Sequence, residues 1–173
     1  MTSEEFRKLI RDIADFPQPG ILFRDITPLI GDACGLAAAI DQIALPYLGK
    51  VDMVLGIESR GFIFGAPIAY RLGVGFAIAR KPGKLPFRTV SETYELEYGS
   101  TSLHLHADSL AGKSRVLVVD DLLATGGTAL AAIRLARRLG VEVVGCAFVV
   151  ELKFLKGRER LNPVSCFSLV QYD

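Results

Sequence analysis

The stretch RVLVVDDLLATGGTALAAI, residues 115–133, decides the fold. Its opening run RVLVV (115–119) is apolar and β-branched, the composition of a strand buried on both faces of a parallel sheet. That strand delivers Asp120 and Asp121 at its carboxyl end, and Ala124-Thr125-Gly126-Gly127-Thr128 then opens a helix. Gly126 and Gly127 let backbone N–H groups converge without a Cβ in the way, and Thr125 and Thr128 add hydroxyl donors. In open α/β sheets ligands sit outside the carboxyl ends of the strands, and a helix N-terminus favours an anion. A phosphate monoester fits this cradle. The adjacent carboxylates can accept hydrogen bonds from vicinal ribose hydroxyls, so the residues together ask for a ribose 5-phosphate.

Three rival readings account for less. No Gly-Lys-Ser/Thr follows at the spacing of a Walker A loop. A response-regulator receiver carries its acids near its start, yet only 53 residues of the 173 follow Asp120. A plain helix cap with two solvated acids leaves the coincidence of strand end, acids, glycine pair and threonines unexplained.

Working outward, VDMVLGI (51–57), VGFAIA (74–79) and VEVVGCAFVV (141–150) repeat the buried-strand composition. Helix-sized segments separate them at 61–73 and 126–140, each closing on glycine, and Arg134, Arg137 and Arg138 suit the dipole-negative end of the second. This alternation predicts an open, mostly parallel α/β sheet. Upstream, Phe6, Leu9, Ile10 and Ile13 predict an amphipathic helix with a Thr2/Glu5 capping box, ended by FPQPG (16–20). Leu36, Ile40, Ile43 and Tyr47 predict another helix.

Three further segments carry chemistry. GIESRGFIFG (56–65) repeats the strand–turn–helix arrangement, so Arg60 and nearby N–H groups can face a second anion. KPGKLPFRTVSETYELEYGS (81–100) is polar and broken by Pro and Gly; it reads as a structureless closing lid, with Arg80, Lys81, Lys84 and Arg88 at its start. In FPQPGILFRDITPL (16–29), Phe23 can stack on a planar ring while the backbone of Leu22 and Arg24 offers a donor and an acceptor. His104 and His106 share one face of an exposed edge strand, and no third ligand for a metal is evident.

Composition narrows the partners. Lys and Arg number 20 against 19 Asp and Glu, and a net charge of +1 removes the bulk attraction of a non-specific nucleic-acid or anionic-membrane binder. No uncharged run exceeds twelve residues, short of a bilayer span. The N-terminal MTSEEFRKLIRD lacks the basic and apolar regions of a signal peptide, and three scattered cysteines suggest neither a disulfide framework nor a zinc site. The expectation is a cytoplasmic protein of one domain over 1–173, with an N-terminal helix and hood segment at 1–34 and a ligand-binding core at 51–151.

Taken together, FPQPGILFRDITPL, GIESRGFIFG, RKPGKLP with YELEYG, VLVVDDLLATGGT, ELKFLKGRERL and FSLVQYD resemble the type I phosphoribosyltransferase family, and within it the members that use adenine. Asp-Asp–x₄–Gly-Gly-Thr is that family's signature for 5-phosphoribosyl 1-pyrophosphate (PRPP), and the segments cover nearly the whole chain. The resemblance implies an α/β fold with an open, mostly parallel five-stranded sheet flanked by helices, a small hood and a flexible lid loop. It also implies a homodimer and the reaction adenine + PRPP → AMP + pyrophosphate with Mg²⁺, the metal carried mainly by PRPP. Ala124, Thr125, Gly126, Gly127 and Thr128 would then hold the 5-phosphate, and Asp120 and Asp121 the ribose hydroxyls. Glu58, Ser59 and Arg60 would form the pyrophosphate loop, where similar proteins can carry a non-proline cis peptide. Arg80, Lys81 and Lys84 would neutralise pyrophosphate. Leu22, Phe23 and Arg24 would bind adenine, and Glu97, beside Tyr98, would be catalytic together with Arg60. Two other functions compete: a purine- or PRPP-sensing regulator, which would append a basic DNA-binding module, and an enzyme of this class that takes hypoxanthine, guanine or xanthine.

Overall fold

The computed structural model describes residues 1–95 and 100–173. Helix α1 (Ser3–Arg7) begins with the expected capping box: Thr2 Oγ1 accepts from the Glu5 N–H, and the Glu5 carboxylate accepts from the Thr2 N–H at 2.6 Å. The helix is shorter than its periodicity suggests. Arg11–Ala14 instead forms β1, antiparallel to β2 (Leu22–Asp25), with Ile13 opposite Phe23. Pairing with a segment ten residues away supplies these backbone groups with partners, and that non-local gain overrides the helical spacing of Ile13. This ribbon is the hood.

After α2 (Thr27–Gly31) and α3 (Ala33–Ala44) the chain enters β3 (Met53–Ile57), α4 (Gly61–Leu72) and β4 (Gly75–Ala79). A hairpin of β5 (Thr89–Glu95) and β6 (Ser100–His106) follows. Then come β7 (Arg115–Leu123), α5 (Gly127–Arg138), β8 (Glu142–Leu152), α6 (Gly157–Leu161) and β9 (Cys166–Tyr172). Five strands make one parallel sheet in the order β4-β3-β7-β8-β9, as expected.

Successive residues of β7 point to opposite faces. Val116 and Val118 pack with Ala132 and Leu135 of α5, whereas Leu117 and Val119 pack with Phe64 and Ile68 of α4 and Ile43 of α3. Helices α4 and α5 therefore cover opposite faces, although they follow the adjacent strands β3 and β7. The strand order reverses between those two strands, and at such a switch point the carboxyl-end loops diverge and leave a crevice.

The described residues of 81–100 are not the structureless segment that the sequence led one to expect. Thr89–Glu95 and Ser100–His106 pair residue for residue. Glu92 is mostly buried and receives Arg134 at 3.3 Å and Arg138 at 2.6 Å, while Arg138 also donates to the Ser91 carbonyl at 2.7 Å. The C-terminal arginines of α5 thus clamp the hairpin. Nor is the histidine face fully exposed: His104 and His106 are half-buried, with His104 Nε2 2.9 Å from Ser102 Oγ and Phe87 edge-on to His106.

Candidate active site

The crevice at the switch point is a cavity of about 430 Å³, walled by Glu58, Ser59, Arg60, Lys81, Asp120, Asp121, Ala124 and Thr128, with Tyr94 and Thr101 from the hairpin. A smaller cavity of about 70 Å³ adjoins it inside the loop 122–129. There Gly126 takes φ +81°, a left-handed conformation that suits glycine, and turns the chain into α5. Gly126 has no side chain to cap that helix, so the first N–H groups remain available to an anion. Residues Ala124 to Thr128 all line this small cavity.

The loop is backed by the chain's tail. Gly157 of α6 lies so close that a Cβ there would sit 2.1 Å from the Ala124 carbonyl and 3.0 Å from the Gly126 nitrogen. Arg160 Nη1 donates to the Thr125 carbonyl at 3.3 Å. The tail therefore braces the loop from outside, a contact some thirty residues distant that no local pattern announces.

At the end of β7 the two acids behave as a pair. Asp121 is buried, and its carboxylate meets Arg60 Nε at 2.9 Å. Asp120 Oδ1 accepts the Asp121 N–H at 2.9 Å. Burial raises both carboxyls above their ordinary value; the Asp121 charge raises Asp120 further, and Arg60 counteracts the rise in each. Gly61 permits this approach, because a Cβ on it would lie 2.9 Å from Asp120 Oδ1.

The Glu58–Ser59 peptide is cis. Glu58 turns away from the acids toward Arg80, whose Nε and Nη2 donate at 3.1 and 3.0 Å, and it also accepts the Lys81 N–H. Burial pushes the Glu58 carboxyl up, but these donors outweigh it and hold it below the usual range. These contacts place the three expected pyrophosphate cations differently. The Arg80 guanidinium is engaged by Glu58 and does not wall the crevice, and exposed Lys84 contributes only a carbonyl to Arg80, at 3.4 Å. Of that basic trio, Lys81 alone lines the cavity.

A second cavity, about 340 Å³ and mostly apolar, lies under the hood between Ile13, Phe16, Phe23, Ile26, Ile30 and Ile63. Phe16 meets Phe23 edge-on at 5.1 Å. Of the expected ring-binding trio, Phe23 lines this cavity and Leu22 is exposed. The Arg24 side chain is turned to Asp12 and the face of Tyr172, so only its backbone is available to a ring. Arg60 walls both cavities and lies 5.4 Å from the Phe23 ring centroid. Glu97, with Tyr98, lies outside the described residues.

The sequence has counterparts among known proteins. A family profile described as phosphoribosyl transferase domain matches residues 27–173. The adenine phosphoribosyltransferase of Acidobacterium capsulatum is 56% identical over 170 residues, spanning 98% of this chain and 94% of its own. A crystal structure of adenine phosphoribosyltransferase from Thermoanaerobacter pseudethanolicus superposes with a TM-score of 0.94 at 50% identity, over 99% of this chain and 100% of that one. The Saccharomyces cerevisiae enzyme, solved with an imino-altritol 1,6-bisphosphate and adenine, gives a TM-score of 0.92 at 39% identity, over 97% of this chain and 98% of that one.

Proposed function

This chain belongs to the phosphoribosyltransferase family, and from that premise we propose that it is an adenine phosphoribosyltransferase of purine salvage, converting adenine and PRPP to AMP and pyrophosphate. The observation that carries the reading is the joining, at Arg60, of a phosphate cradle with paired acids to an apolar cavity faced by Phe23. A sugar phosphate and a planar base held in those two cavities meet where the new bond must form.

In this reading the N–H groups at 125–128 hold the 5-phosphate, and Asp120 and Asp121 accept from the ribose hydroxyls. Ser59, Arg60 and Lys81 face the pyrophosphate. The Glu58–Arg80 pair shapes that loop from behind. Phe23 stacks on adenine. The ribbon holds only β1 and β2 among the described residues, so the other edge of β2 is free of strand pairing. A backbone donor and acceptor there match the ring nitrogen and exocyclic amine of adenine and mismatch a 6-oxopurine. Displacement at the anomeric carbon passes through an oxocarbenium-like state, so placement of charge matters more than a strong nucleophile. Glu97 is assigned to proton transfer at the base or to stabilising the developing cation.

No three His, Cys, Asp or Glu side chains converge on a metal position among the described residues. Diphosphate oxygens and carboxylates are the hard oxygen donors Mg²⁺ prefers, so the substrate would carry most of its coordination, and Asp120 and Asp121 in the same cavity could add to it. The chemistry the metal would supply there is neutralisation of charge on the departing pyrophosphate. A homodimer and a cytoplasmic location complete the proposal. No helix among the described residues is long and apolar enough to cross a membrane.

Incubation with PRPP, Mg²⁺ and each purine in turn tests the reading. AMP should exceed IMP, GMP and XMP by about tenfold or more, since each mismatched buried polar group costs roughly 1–3 kcal/mol. PRPP binding without nucleotide formation would favour the regulator instead, and IMP or GMP in excess of AMP would overturn the base assignment.

The raised carboxyls of the acid pair set function against stability. A group whose folded pKa lies above its unfolded value stabilises the fold fully below the unfolded value, near 3.8 here, and that contribution is lost as pH rises through the folded one. The unliganded protein therefore carries a penalty at neutral pH. Asp120→Asn keeps an acceptor for the Asp121 N–H and removes the charge. Its Tm at pH 7 should rise by about 2–4 °C, the shift that ~1 kcal/mol produces in a domain of this size. The gain should vanish near pH 3.8, while KM for PRPP increases. A lower Tm at pH 7 would show that the charge is not a burden on the free protein.

A further inference from the structure

The last strand of the sheet ends at Tyr172, far along the chain from the hood yet in contact with it. The Arg24 guanidinium lies over the Tyr172 ring, 3.8 Å from its centroid, and Arg7 lies 5.1 Å away. Arg7 also donates to the Gln171 carbonyl, which ties α1 to the same end of β9. The Arg24 side chain is only 15% exposed and pairs with Asp12, its register partner across the ribbon. Its Nε is buried without a hydrogen-bond partner. The guanidinium is therefore held by one carboxylate and by the face of an aromatic ring, not by a full set of hydrogen bonds.

A two-stranded ribbon of four residues a side has little stability of its own. What it rests on sets its orientation. Along β2 successive side chains point to opposite faces, so Arg24 reaches the Tyr172 ring while its neighbour Phe23 reaches the apolar cavity. A rotation of the ribbon that followed loss of the ring would carry Phe23 and the free edge of β2 with it. The phosphate cradle on β7 and α5 shares none of these contacts.

We propose that Tyr172 is a positioning residue for the base pocket: through Arg24 it fixes the hood ribbon so that Phe23 and the backbone of residues 22–24 face the base. The inference rests on the assignment of the Phe23 cavity to adenine.

The test is steady-state kinetics of Tyr172→Ala, Tyr172→Phe and Phe23→Ala with adenine and PRPP varied separately. Tyr172→Ala should raise KM for adenine about 5- to 20-fold, the loss expected for a partly desolvated cation–π contact and the looser ribbon, with KM for PRPP within about twofold. Tyr172→Phe, which keeps the ring face, should restore both values. The PRPP-induced rise in Tm, measured on each variant, reports whether the core is folded; if Tyr172→Ala lacks it, the tie is a support of the whole fold and the inference falls. It falls equally if KM for adenine stays at the wild-type value, if both KM values rise together, or if Tyr172→Phe is as impaired as Tyr172→Ala. An unchanged KM for adenine in Phe23→Ala would remove the base-pocket assignment itself, and the inference with it. A raised value there beside an unaffected Tyr172→Ala would remove only the role of Tyr172.

Discussion

Gly157→Ala is expected to raise KM for PRPP about 10- to 100-fold, because displacing a binding group by about 1 Å costs on that order. The methyl carbon would arrive 2.1 Å from the Ala124 carbonyl and 3.0 Å from the Gly126 nitrogen. Both atoms are backbone, so no side chain can swing aside. The approach is mutual: a Cβ on Gly126 would meet the Gly157 carbonyl at 2.6 Å. Either α6 retreats or the cradle moves, and overpacking of this sort costs about 1–3 kcal/mol. Thermal denaturation should show a Tm lower by roughly 2–10 °C. KM for adenine should change much less, because no residue of α6 lines the apolar cavity. A wild-type KM for PRPP would mean that α6 does not brace the loop.

Arg60→Gln should lower kcat/KM by about 10²–10³, the range seen when one donor aimed at developing charge is removed. Arg60 is the one side chain among the described residues that walls both cavities, and its Nε holds Asp121 at 2.9 Å. Without the guanidinium a buried carboxylate is left beside Asp120, and the Asp121 pKa rises further because the cation that lowered it is gone. The acidic limb of the pH–rate profile should then move to higher pH. Adding Asp121→Asn should recover the stability lost in the single variant but none of the turnover, which separates the structural cost of an unpaired charge from its catalytic use. Activity within threefold of wild type would remove Arg60 from the mechanism.

Legibility in the sequence followed the range of the contacts. The strands at 53–57, 75–79, 115–123 and 142–152 were readable because burial on both faces makes each a local apolar run. That Asp120 and Ala124–Thr128 share one cavity was readable for the same reason: the segment is contiguous and its turn is local. Elements whose conformation depends on a distant partner were misread. Ile13 keeps helical spacing yet lies on β1, because Phe23 stands opposite it. In β5 the inward positions are Val90, Glu92 and Tyr94, and a carboxylate among them conceals the alternation. Arg134 and Arg138, on another element, are what make Glu92 tolerable there. The pairing of Arg80 with Glu58, 22 residues upstream, likewise has no local sign. Gly157 and Tyr172 gave no local sign, since each acts by touching a loop or strand more than thirty residues away.

The most direct measurement is a crystal structure of the protein with AMP bound. The phosphate should accept from backbone N–H groups of residues 125–128, the ribose hydroxyls should face Asp120 and Asp121, and the purine should lie against Phe23 with Arg60 at the junction. A purine lying away from residues 22–24, or a phosphate seated instead in the separate cavity among Lys153, Lys156 and Arg158, would contradict the account.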